Sequence, residues 1–582
     1  MPNRPYLGRT VDDTIAMYKP HVSGTEGAVS SNSPYATQAG LEIMKQGGNA
    51  FDAAVAVSLV LGVVEPYHCG IGGGCFHTFY DKKTNEFYCV DARGIAPKNA
   101  YQDMMLDENG DVDLNLTEYS GRSVSVPSFY RAMDNLLKKH GTMTWEQVSA
   151  PAIKLCRDGF ACGFAYARIT DTPEAEHNKA EYEGFEELYL NHGKPRQFGE
   201  IIKNPDLADT MEGVAKNGVD WFYNGPIADE MVEHINKNKG LFCKEDLINC
   251  KPKERIPVRG NYRGYDIISM APPSSGGTHI IQMLNILENF DLKGMGFHSA
   301  DSTHVIAETM KMMFADRSVA MGDPDFVDVK VDKLLSTLAE VWGKEMTDDM
   351  DHAKEYAPTD GIEAKEYRGC TSNFTVMDKY GNVISQTQTI RNWWGSGVVI
   401  PGRGFIMNNA MADFSAKAGV RTTQGLAYGM ANAIRPGKTP LSSMSPTIVM
   451  KDGKPVLSVG AAGGPRIITS TLQLIINNLD YGMMMDSAVK HPHMCCLTLN
   501  QGLELEEGFS PDTIKLLAAK GHIVKNTTDF GELLVMPNGI RNIDGTFFPG
   551  GTSRVDGGGG ALTASGTMAI DGLCFIDEKL TK

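Results

Sequence analysis

The sequence predicts an α+β fold in which helices pack with layered antiparallel sheets. Two observations support this class. Helical patterns separated by short turns fill the middle of the 582 residues, and strand hairpins mark the last third. About four domains would suit this length at roughly 150 residues each. However, the sequence has no internal repeat and no low-complexity linker.

Two helices are predicted near the N-terminus. The first covers residues 34–46 and ends at Gly47 and Gly48, which are helix stop signals. The second covers the apolar run 53–64, can be capped by Asn49, and ends before a proline. Because this run is too short to cross roughly 30 Å of hydrocarbon, we expect a buried helix.

Strand hairpins are predicted in three places. The pairs are 75–80 with 86–91, 372–377 with 383–390, and 447–450 with 455–459. Turn residues such as Gly381-Asn382 and Asp452-Gly453 separate the strands of the last two pairs. A glycine-rich turn at 460–465 then leads into an apolar helix from 466 to about 479.

Composition narrows the classes of function. Lys and Arg number 55 and Asp and Glu number 71, so the formal net charge is −16. Because nucleic-acid binders need a basic surface, we expect no nucleic-acid partner. The N-terminus lacks an apolar signal-peptide core, so we expect a cytoplasmic protein that does not enter membranes, while periplasmic and extracellular locations stay open. The 11 cysteines favour reduced, buried thiols.

The turn Gly463-Gly464-Pro465 has two interpretations. Glycines allow successive backbone N–H groups to point the same way, and proline suits the start of a helix. Such a turn can bind an anion or a developing oxyanion at the positive end of the helix dipole. It can equally be a tight turn that lets the helix pack on the strand.

Other motifs argue against common enzyme classes. The glycine cluster 70–74 follows a helix and precedes a strand, the reverse of a dinucleotide-binding loop. The run 491–496 (HPHMCC) has no metal-ligand spacing, so structural histidines and buried thiols are the preferred interpretation. No GxSxG motif occurs. We therefore expect neither a metal ion nor an organic cofactor.

An ordered series of motifs covers nearly the whole chain. It comprises GGNAFDAAVAVSLVLGVVEP (47–66), GIGGGCF (70–76), VDARGIAP (90–97), VPSFYRA (126–132), PPSSGG (272–277), TSNFTVMDKYGNVISQTQTI (371–390), FIMNNAMADFS (405–415), PLSSMSPT (440–447) and GAAGGPRIITS (460–470). The series resembles the γ-glutamyltranspeptidase family of the N-terminal-nucleophile hydrolases. The resemblance implies a four-layer αββα sandwich made as one precursor that cuts itself.

The resemblance also implies where the precursor is cut. Cleavage between Cys370 and Thr371 would give a large chain 1–370 and a small chain 371–582, which together form one compact domain and could associate further. Thr371 would be the nucleophile. The cut makes chemical sense because it frees an α-amine, a base that titrates near neutral pH, beside a weakly nucleophilic hydroxyl.

Further residues receive roles from the same resemblance. Gly463 and Gly464 would donate to the oxyanion, and Thr389 would hydrogen-bond the nucleophile. Arg93, Ser442 and Ser443 would hold the α-carboxylate of a γ-glutamyl donor, which suits a guanidinium and two hydroxyls. Asp413 would pair with the α-ammonium of the donor. The segment 415–439 keeps the length of a lid loop, with Gln424 at the position of its usual tyrosine.

The chain departs from the family pattern near the predicted ammonium site. Gly94 replaces an acid beside Arg93, Arg391 replaces an asparagine, and Ala410 and Ala412 replace a polar residue and an aspartate. A cation at position 391 should repel an ammonium or attract a second carboxylate. Alternatively, Arg391 turns away to pair with an acidic side chain and leaves Asp413 sufficient.

The expected activity is self-processing followed by acyl transfer from a small amide through a Thr371 ester. The first expectation for the donor is a γ-glutamyl amide resembling glutathione, with water or an amine as acceptor. One alternative is a family amidohydrolase acting on a carboxylated amide that lacks the α-amine, such as a glutaryl or small oxo-acid amide. The other is a non-catalytic member that keeps the fold for binding.

Overall fold

Two antiparallel sheets lie face to face at the centre of the structure, with helices on both outer surfaces. The computed structural model describes residues 22–348, 350–356, 370–417, 420, 426, 429–527 and 535–571. This is the αββα sandwich that the motif series predicts. The lid residue Gln424 lies outside the described residues, as do residues 357–369 before the predicted cut.

The first sheet contains eight strands within the described ranges. In spatial order they are Met568–Ile570, Gly558–Leu562, Gly27–Ser31, Ser372–Asp378, Val383–Thr389, Gly74–Asp81, Glu86–Ala92 and Lys253–Arg255. Every neighbouring pair is antiparallel. Strands from before and after position 370 are therefore interleaved in one sheet.

The second sheet contains six strands among the residues described. They are, in order, Thr546–Gly550, Met536–Ile543, Lys454–Ala462, Thr447–Lys451, Tyr265–Ser269 and Val258–Tyr262, all antiparallel. Smaller sheets pair Met494–Cys496, Leu503–Glu506 and Val524–Thr527, then Val399–Ile400 with Phe405–Ile406, and Phe160–Ala161 with Ile201–Ile202.

The helices form the outer layers. On the side of the first sheet are Pro34–Lys45, Ala50–Val64, Phe129–His140, Trp145–Asp158 and Pro205–Asn217. On the side of the second sheet are Gly276–Leu287, Ala300–Ala320, Ala339–Asp348, Arg466–Leu479, Met485–Lys490 and Pro511–Ala519. Two short elements carry site residues, the helix Leu114–Glu118 and the 3-10 turn Ala410–Asp413.

The helix Ala50–Val64 shows how local sequence sets the first layer. All of its residues are buried, which explains its nearly uniform apolar composition. Asn49 caps it as predicted: its Oδ1 accepts from the backbone N–H of Phe51 at 2.9 Å and of Asp52 at 3.0 Å. The carboxylate of Asp52 accepts in return from the N–H of Asn49 at 2.9 Å.

The predicted hairpins are confirmed with ends shifted by at most three residues, and the helix at 466–479 is confirmed as Arg466–Leu479. The strands Ser372–Asp378 and Val383–Thr389 are buried at every position because they lie between a helical layer and the second sheet. The division into chains 1–370 and 371–582 stays a prediction.

Candidate active site

Strand pairing brings two threonines together at one end of the first sheet. Ser372 pairs with Gln388 across adjacent antiparallel strands, so Thr371 and Thr389 lie opposite each other just beyond that pair. Their Oγ1 atoms are 3.2 Å apart, and both side chains are buried. A shift of two residues in the pairing of these strands would separate the two threonines. The register of the hairpin therefore positions this pair.

Both hydroxyls contact the carbonyl oxygen of Cys370, the residue that precedes Thr371. Thr389 donates to this oxygen at 3.1 Å, and Thr371 Oγ1 also contacts it. The Thr389 hydroxyl accepts in turn from the backbone N–H of Arg391 at 2.7 Å. The arrangement can polarise the Cys370–Thr371 peptide and hold a hydroxyl against its carbonyl group.

The thiol of Cys370 is not a competing nucleophile. Burial raises the pKa of this thiol well above its usual value, and the nearby Cys69 and Glu65 raise it further. The thiolate is the reactive form of cysteine, so Cys370 stays protonated at neutral pH. Its Sγ donates instead to the carbonyl oxygen of Tyr67 at 2.8 Å.

A small cavity opens beside the two threonines. Its lining comprises Arg93, Cys370, Thr371, Thr389, Arg391, Asp413, Leu441, Ser442, Ser443, Met444, Gly464 and Ile467. Every site residue predicted from the sequence except Gly463 is therefore on its wall. Gly463 precedes Gly464 in the same turn, between the strand Lys454–Ala462 and the helix Arg466–Leu479.

The turn depends on glycine, most of all at position 463. Gly463 has φ +129° and Gly464 has φ +57°. Residues other than glycine rarely adopt the first of these values. The turn opens the helix Arg466–Leu479, whose N-terminal dipole favours negative charge. The tight turn is therefore confirmed and Gly464 borders the cavity, while the oxyanion role of the turn stays a prediction.

Four charged side chains form a buried network, and three of them, Arg93, Arg391 and Asp413, line the cavity. Arg391 Nε lies 2.9 Å from Asp413 Oδ1, and the guanidinium also contacts Glu118. Asp413 Oδ2 contacts Arg93, so both oxygens of Asp413 face guanidinium groups. Burial opposes the charge of Arg391, yet Glu118 and Asp413 together raise the pKa of the guanidinium above its usual value.

The loop that carries Ser442 and Ser443 is held by residues on the side of the second sheet. Arg317 Nη2 donates to Ser443 Oγ at 3.1 Å, and Arg317 Nε donates to Ser275 Oγ at 2.8 Å. The backbone N–H of Ser275 donates to the carbonyl of Ser442 at 2.9 Å. The segment 272–277 therefore holds the Ser442-Ser443 loop at the cavity.

The departure from the family pattern at Gly94 has a structural explanation. Gly94 has φ +106°, and a Cβ placed on it would lie 2.6 Å from Ser125 Oγ and from the Val126 carbonyl. A larger residue beside Arg93 would therefore not fit. Nothing in the structure explains alanine at position 412, since its contact with Arg391 Nη2, at 3.5 Å, uses the backbone carbonyl oxygen. The replacement at position 391 has its own partners, as described above.

Sequence reasoning missed Glu118 and Arg317. The cationic replacement at position 391 indicated an acidic partner, but Glu118 lies 273 positions away with no local motif to mark it. Arg317 sits near the end of the helix Ala300–Ala320, where it reads as an ordinary helix-terminal cation. It is in fact buried, at 1% exposure.

The described residues offer one cluster with metal-ligating types: His304, Glu308 and His522, all buried. The ammonium of Lys311 lies 2.7 Å from Glu308 Oε1, and His304 Nδ1 lies 2.8 Å from His522 Nε2. This cluster is therefore already held by a cation and by contacts between its own members. In the run 491–496, His493 Nδ1 lies 2.8 Å from Ser470 Oγ, in line with structural histidines.

The αββα sandwich, with a threonine at the start of a central strand, defines the class of N-terminal-nucleophile hydrolases. The family model "Gamma-glutamyltranspeptidase" matches residues 36–554. The chain belongs to the γ-glutamyltranspeptidase family.

The similar proteins include glutathione hydrolases and acylases. The chain is 42% identical to "Glutathione hydrolase proenzyme" of Escherichia coli (strain K12), over 89% of this chain and 90% of that protein. It is 36% identical to "Acylase ACY 1 proenzyme" of Pseudomonas sp. (strain SE83), over 98% and 100%. Among solved structures, cephalosporin acylase from Bacillus halodurans superposes with a TM-score of 0.82 at 26% identity, covering 94% of this chain and 97% of that one. Within the described residues, every helix is too short or too polar to traverse a bilayer.

Proposed function

We propose that the chain is a self-processing amidohydrolase and acyltransferase that works through Thr371. The observation that carries this proposal is the contact of two threonine hydroxyls with the Cys370 carbonyl, beside a cavity with a glycine turn. The relatives named proenzymes support processing into two chains, 1–370 and 371–582. These two chains would stay together as a heterodimer.

Self-cleavage would begin with attack of Thr371 Oγ1 on the carbonyl carbon of Cys370. The new C–O bond forms as the Cys370–Thr371 C–N bond breaks, and the hydroxyl proton ends on the leaving nitrogen. Thr389, which donates to the carbonyl oxygen, would stabilise the negative charge that develops there. Water then hydrolyses the ester, which leaves a carboxylate on Cys370 and a free amine on Thr371.

Turnover would use the same hydroxyl on a bound amide. The freed α-amine of Thr371 has an ordinary pKa of about 8, so it can accept the hydroxyl proton and pass it to the leaving amine. The N–H groups of Gly463 and Gly464 would receive the oxyanion. The acyl group, held as an ester on Thr371, passes to water or to an acceptor amine.

The first candidate donor is a γ-glutamyl amide resembling glutathione. The similarity to glutathione hydrolase proenzyme supports it, as do a guanidinium at Arg93 and hydroxyls at Ser442 and Ser443 for the α-carboxylate. The α-ammonium of this donor would need Asp413. Asp413 would have to give up part of its contact with Arg93 or Arg391 to accept it.

A second candidate donor is favoured by that same contact. Because both oxygens of Asp413 face guanidinium groups, an acyl group with a carboxylate and no α-amine would not need to displace either one. A glutaryl amide has this chemistry, and the similarity to an acylase proenzyme supports it.

One experiment on the wild-type protein tests both the proposed enzyme activity and the choice between the two donors. Intact mass spectrometry should give two chains that sum to the precursor, and matched γ-glutamyl and glutaryl anilides should then be compared by kcat/KM. An uncut protein that turns over neither anilide would contradict the enzyme proposal. The ratio of the two kcat/KM values decides between the donors.

A further inference from the structure

Glu118 is a buried carboxylate that no sequence motif marks and that does not line the cavity. It ends the short helix Leu114–Glu118 and is 4% exposed. Its Oε2 accepts from the guanidinium of Arg391, from Asn392 Nδ2 at 2.6 Å and from Asn409 Nδ2 at 3.3 Å. A carboxylate with this many donors defines the position of each of them.

Arg391 carries an unusual backbone. Its φ is +84°, in the left-handed region that favours glycine. Such a conformation persists only where the surroundings fix it. The side chain is fixed by Glu118 and Asp413, and the preceding Ile390 donates its N–H to the carbonyl of His68 at 3.0 Å.

The strained backbone has a direct contact with the site. The N–H of Arg391 donates to Thr389 Oγ1 at 2.7 Å. A hydroxyl that accepts here directs its own proton elsewhere, and the Cys370 carbonyl is in reach at 3.1 Å. The other nearby oxygen, Thr371 Oγ1 at 3.2 Å, is itself a donor to Thr389. The orientation of the Thr389 hydroxyl thus depends on the orientation of residue 391.

Charge balance explains why Glu118 is needed as well as Asp413. The network holds two guanidinium groups, Arg93 and Arg391, and two carboxylates, Glu118 and Asp413. Without the charge of Glu118, Arg391 would keep one carboxylate partner, Asp413, which also contacts Arg93, and the contact that fixes Arg391 would weaken. Arg391 could then relax from its left-handed conformation.

We propose that Glu118 is a positioning residue for self-cleavage, which holds Arg391 so that its N–H orients the Thr389 hydroxyl towards the Cys370 carbonyl. The proposal rests on the proposed function, because it assigns Thr389 a part in cleaving the Cys370–Thr371 bond. Glu118 acts through Arg391 and does not touch the reacting atoms.

The test is the rate of self-cleavage in Glu118→Gln, followed by intact mass from freshly made precursor. We expect the rate to be at most about one tenth of the wild-type rate, which corresponds to a barrier higher by at least about 1.4 kcal/mol. KM for whichever anilide the mature enzyme accepts should stay within about twofold, since Glu118 does not line the cavity. Glu118→Asp, which keeps the charge, should recover part of the rate.

The matched control is Glu230→Gln. Glu230 also pairs with an arginine, Arg403, at 2.6 and 2.7 Å, but this pair lies outside the cavity. Cleavage in this control should equal that of the wild type. If Glu118→Gln is not obtained folded, Glu118→Asp is compared with the same control.

A double-variant cycle separates positioning from simple structural support. Arg391→Lys keeps a cation but cannot bridge Glu118 and Asp413 with one fork. In that background the effect of Glu118→Gln on cleavage should shrink to about twofold or less. An unchanged effect, wild-type cleavage in Glu118→Gln, or a raised KM with normal cleavage would each overturn the inference. If the wild type itself is not cleaved, the proposed function fails instead.

Discussion

Arg391 Nε and Asp413 Oδ1 lie 2.9 Å apart in a buried wall of the cavity, so the side chain expected to bind an ammonium already binds a cation of the chain. The opposite oxygen of Asp413 contacts Arg93. Recognition of a donor must therefore compete with these contacts or make use of the guanidinium groups.

Removing the Thr371 hydroxyl should abolish self-cleavage. We expect Thr371→Ala to remain one chain of 582 residues, whereas Thr371→Ser should still be cut, since it keeps a hydroxyl. Intact mass spectrometry gives the result directly. Thr210→Ala is the control, because Thr210 is a buried threonine that donates to the Arg403 carbonyl outside the cavity. Cleavage of Thr371→Ala at Cys370 would contradict the assignment.

Removing the Thr389 hydroxyl should slow cleavage without abolishing it. Thr389→Val has nearly the same shape but no longer donates to the Cys370 carbonyl, and loss of one such donor typically costs about 100- to 1000-fold. Thr389→Ser should restore most of the rate. Time courses of precursor conversion on denaturing gels measure all three proteins. Equal rates for the valine variant and the wild type would remove Thr389 from the mechanism.

Replacing Arg391 by a neutral amide should shift donor preference. Arg391→Asn combined with Glu118→Gln removes a cation and an anion together, which avoids an uncompensated buried carboxylate. We expect the ratio of kcat/KM for γ-glutamyl over glutaryl anilide to rise about tenfold, since Asp413 becomes available to an ammonium. Glu118→Gln alone is the control. A ratio that does not change would exclude Arg391 from donor selection.

The two glycines of the oxyanion turn should differ in their tolerance of a side chain. Gly463→Ala forces a non-glycine residue to φ +129°, while Gly464→Ala places one at φ +57°, in the small left-handed region. We expect Gly463→Ala to destabilise the fold by about 1–3 kcal/mol, and more than Gly464→Ala does. Urea unfolding of the two variants measures the difference. The reverse order would contradict the conformation of this turn.

Acid should destabilise the fold through His77. Burial lowers the pKa of this side chain to about 3, with a smaller opposing contribution from Gln386. The unfolded chain therefore binds a proton at His77 near pH 6.5, whereas the folded chain does not. The contribution of His77 to the free energy of unfolding is present above that pH and is lost as pH falls towards 3. Between pH 7 and pH 5 the loss is about 2 kcal/mol.

His77→Gln should remove that loss. Its unfolding free energy, measured in urea at pH 7 and pH 5, should fall by about 2 kcal/mol less than that of the wild type. The comparison uses the difference between the two proteins, because other buried groups titrate in the same range. Identical pH dependence would mean that His77 is protonated in the folded chain.

The sequence predicted the fold well wherever the signal was local. The cap at Asn49 and the start of a helix at Arg466 both follow from a few adjacent residues. The sequence was less informative about which helix packs against which strand. Gln386 and Gln388 are buried and donate to Ser58 at 2.8 and 3.2 Å, because their strand lies under the helix Ala50–Val64. Polar strand residues give no indication of such a partner about 330 positions away.

The site divides in the same way. The motif series selected the residues that border the cavity, because they lie within recognisable segments. Their charge partners lie elsewhere: Glu118 belongs to a short helix without a motif, and Arg317 to the middle of the chain. A buried cation at position 391 required a partner on electrostatic grounds, but only the fold decides which acid can reach it.

The first sheet interleaves strands from before and after position 370, and this order has a consequence for when the protein can become active. Gly27–Ser31 and Gly74–Asp81 flank the hairpin that carries Thr371 and Thr389, so the two hydroxyls meet the Cys370 carbonyl only after distant parts of the chain have assembled. Self-cleavage would then act as a report of completed folding: a misfolded precursor stays intact and inert. Once cut, neither chain could leave without breaking the sheet, so activation would be irreversible and each molecule would keep its original partner.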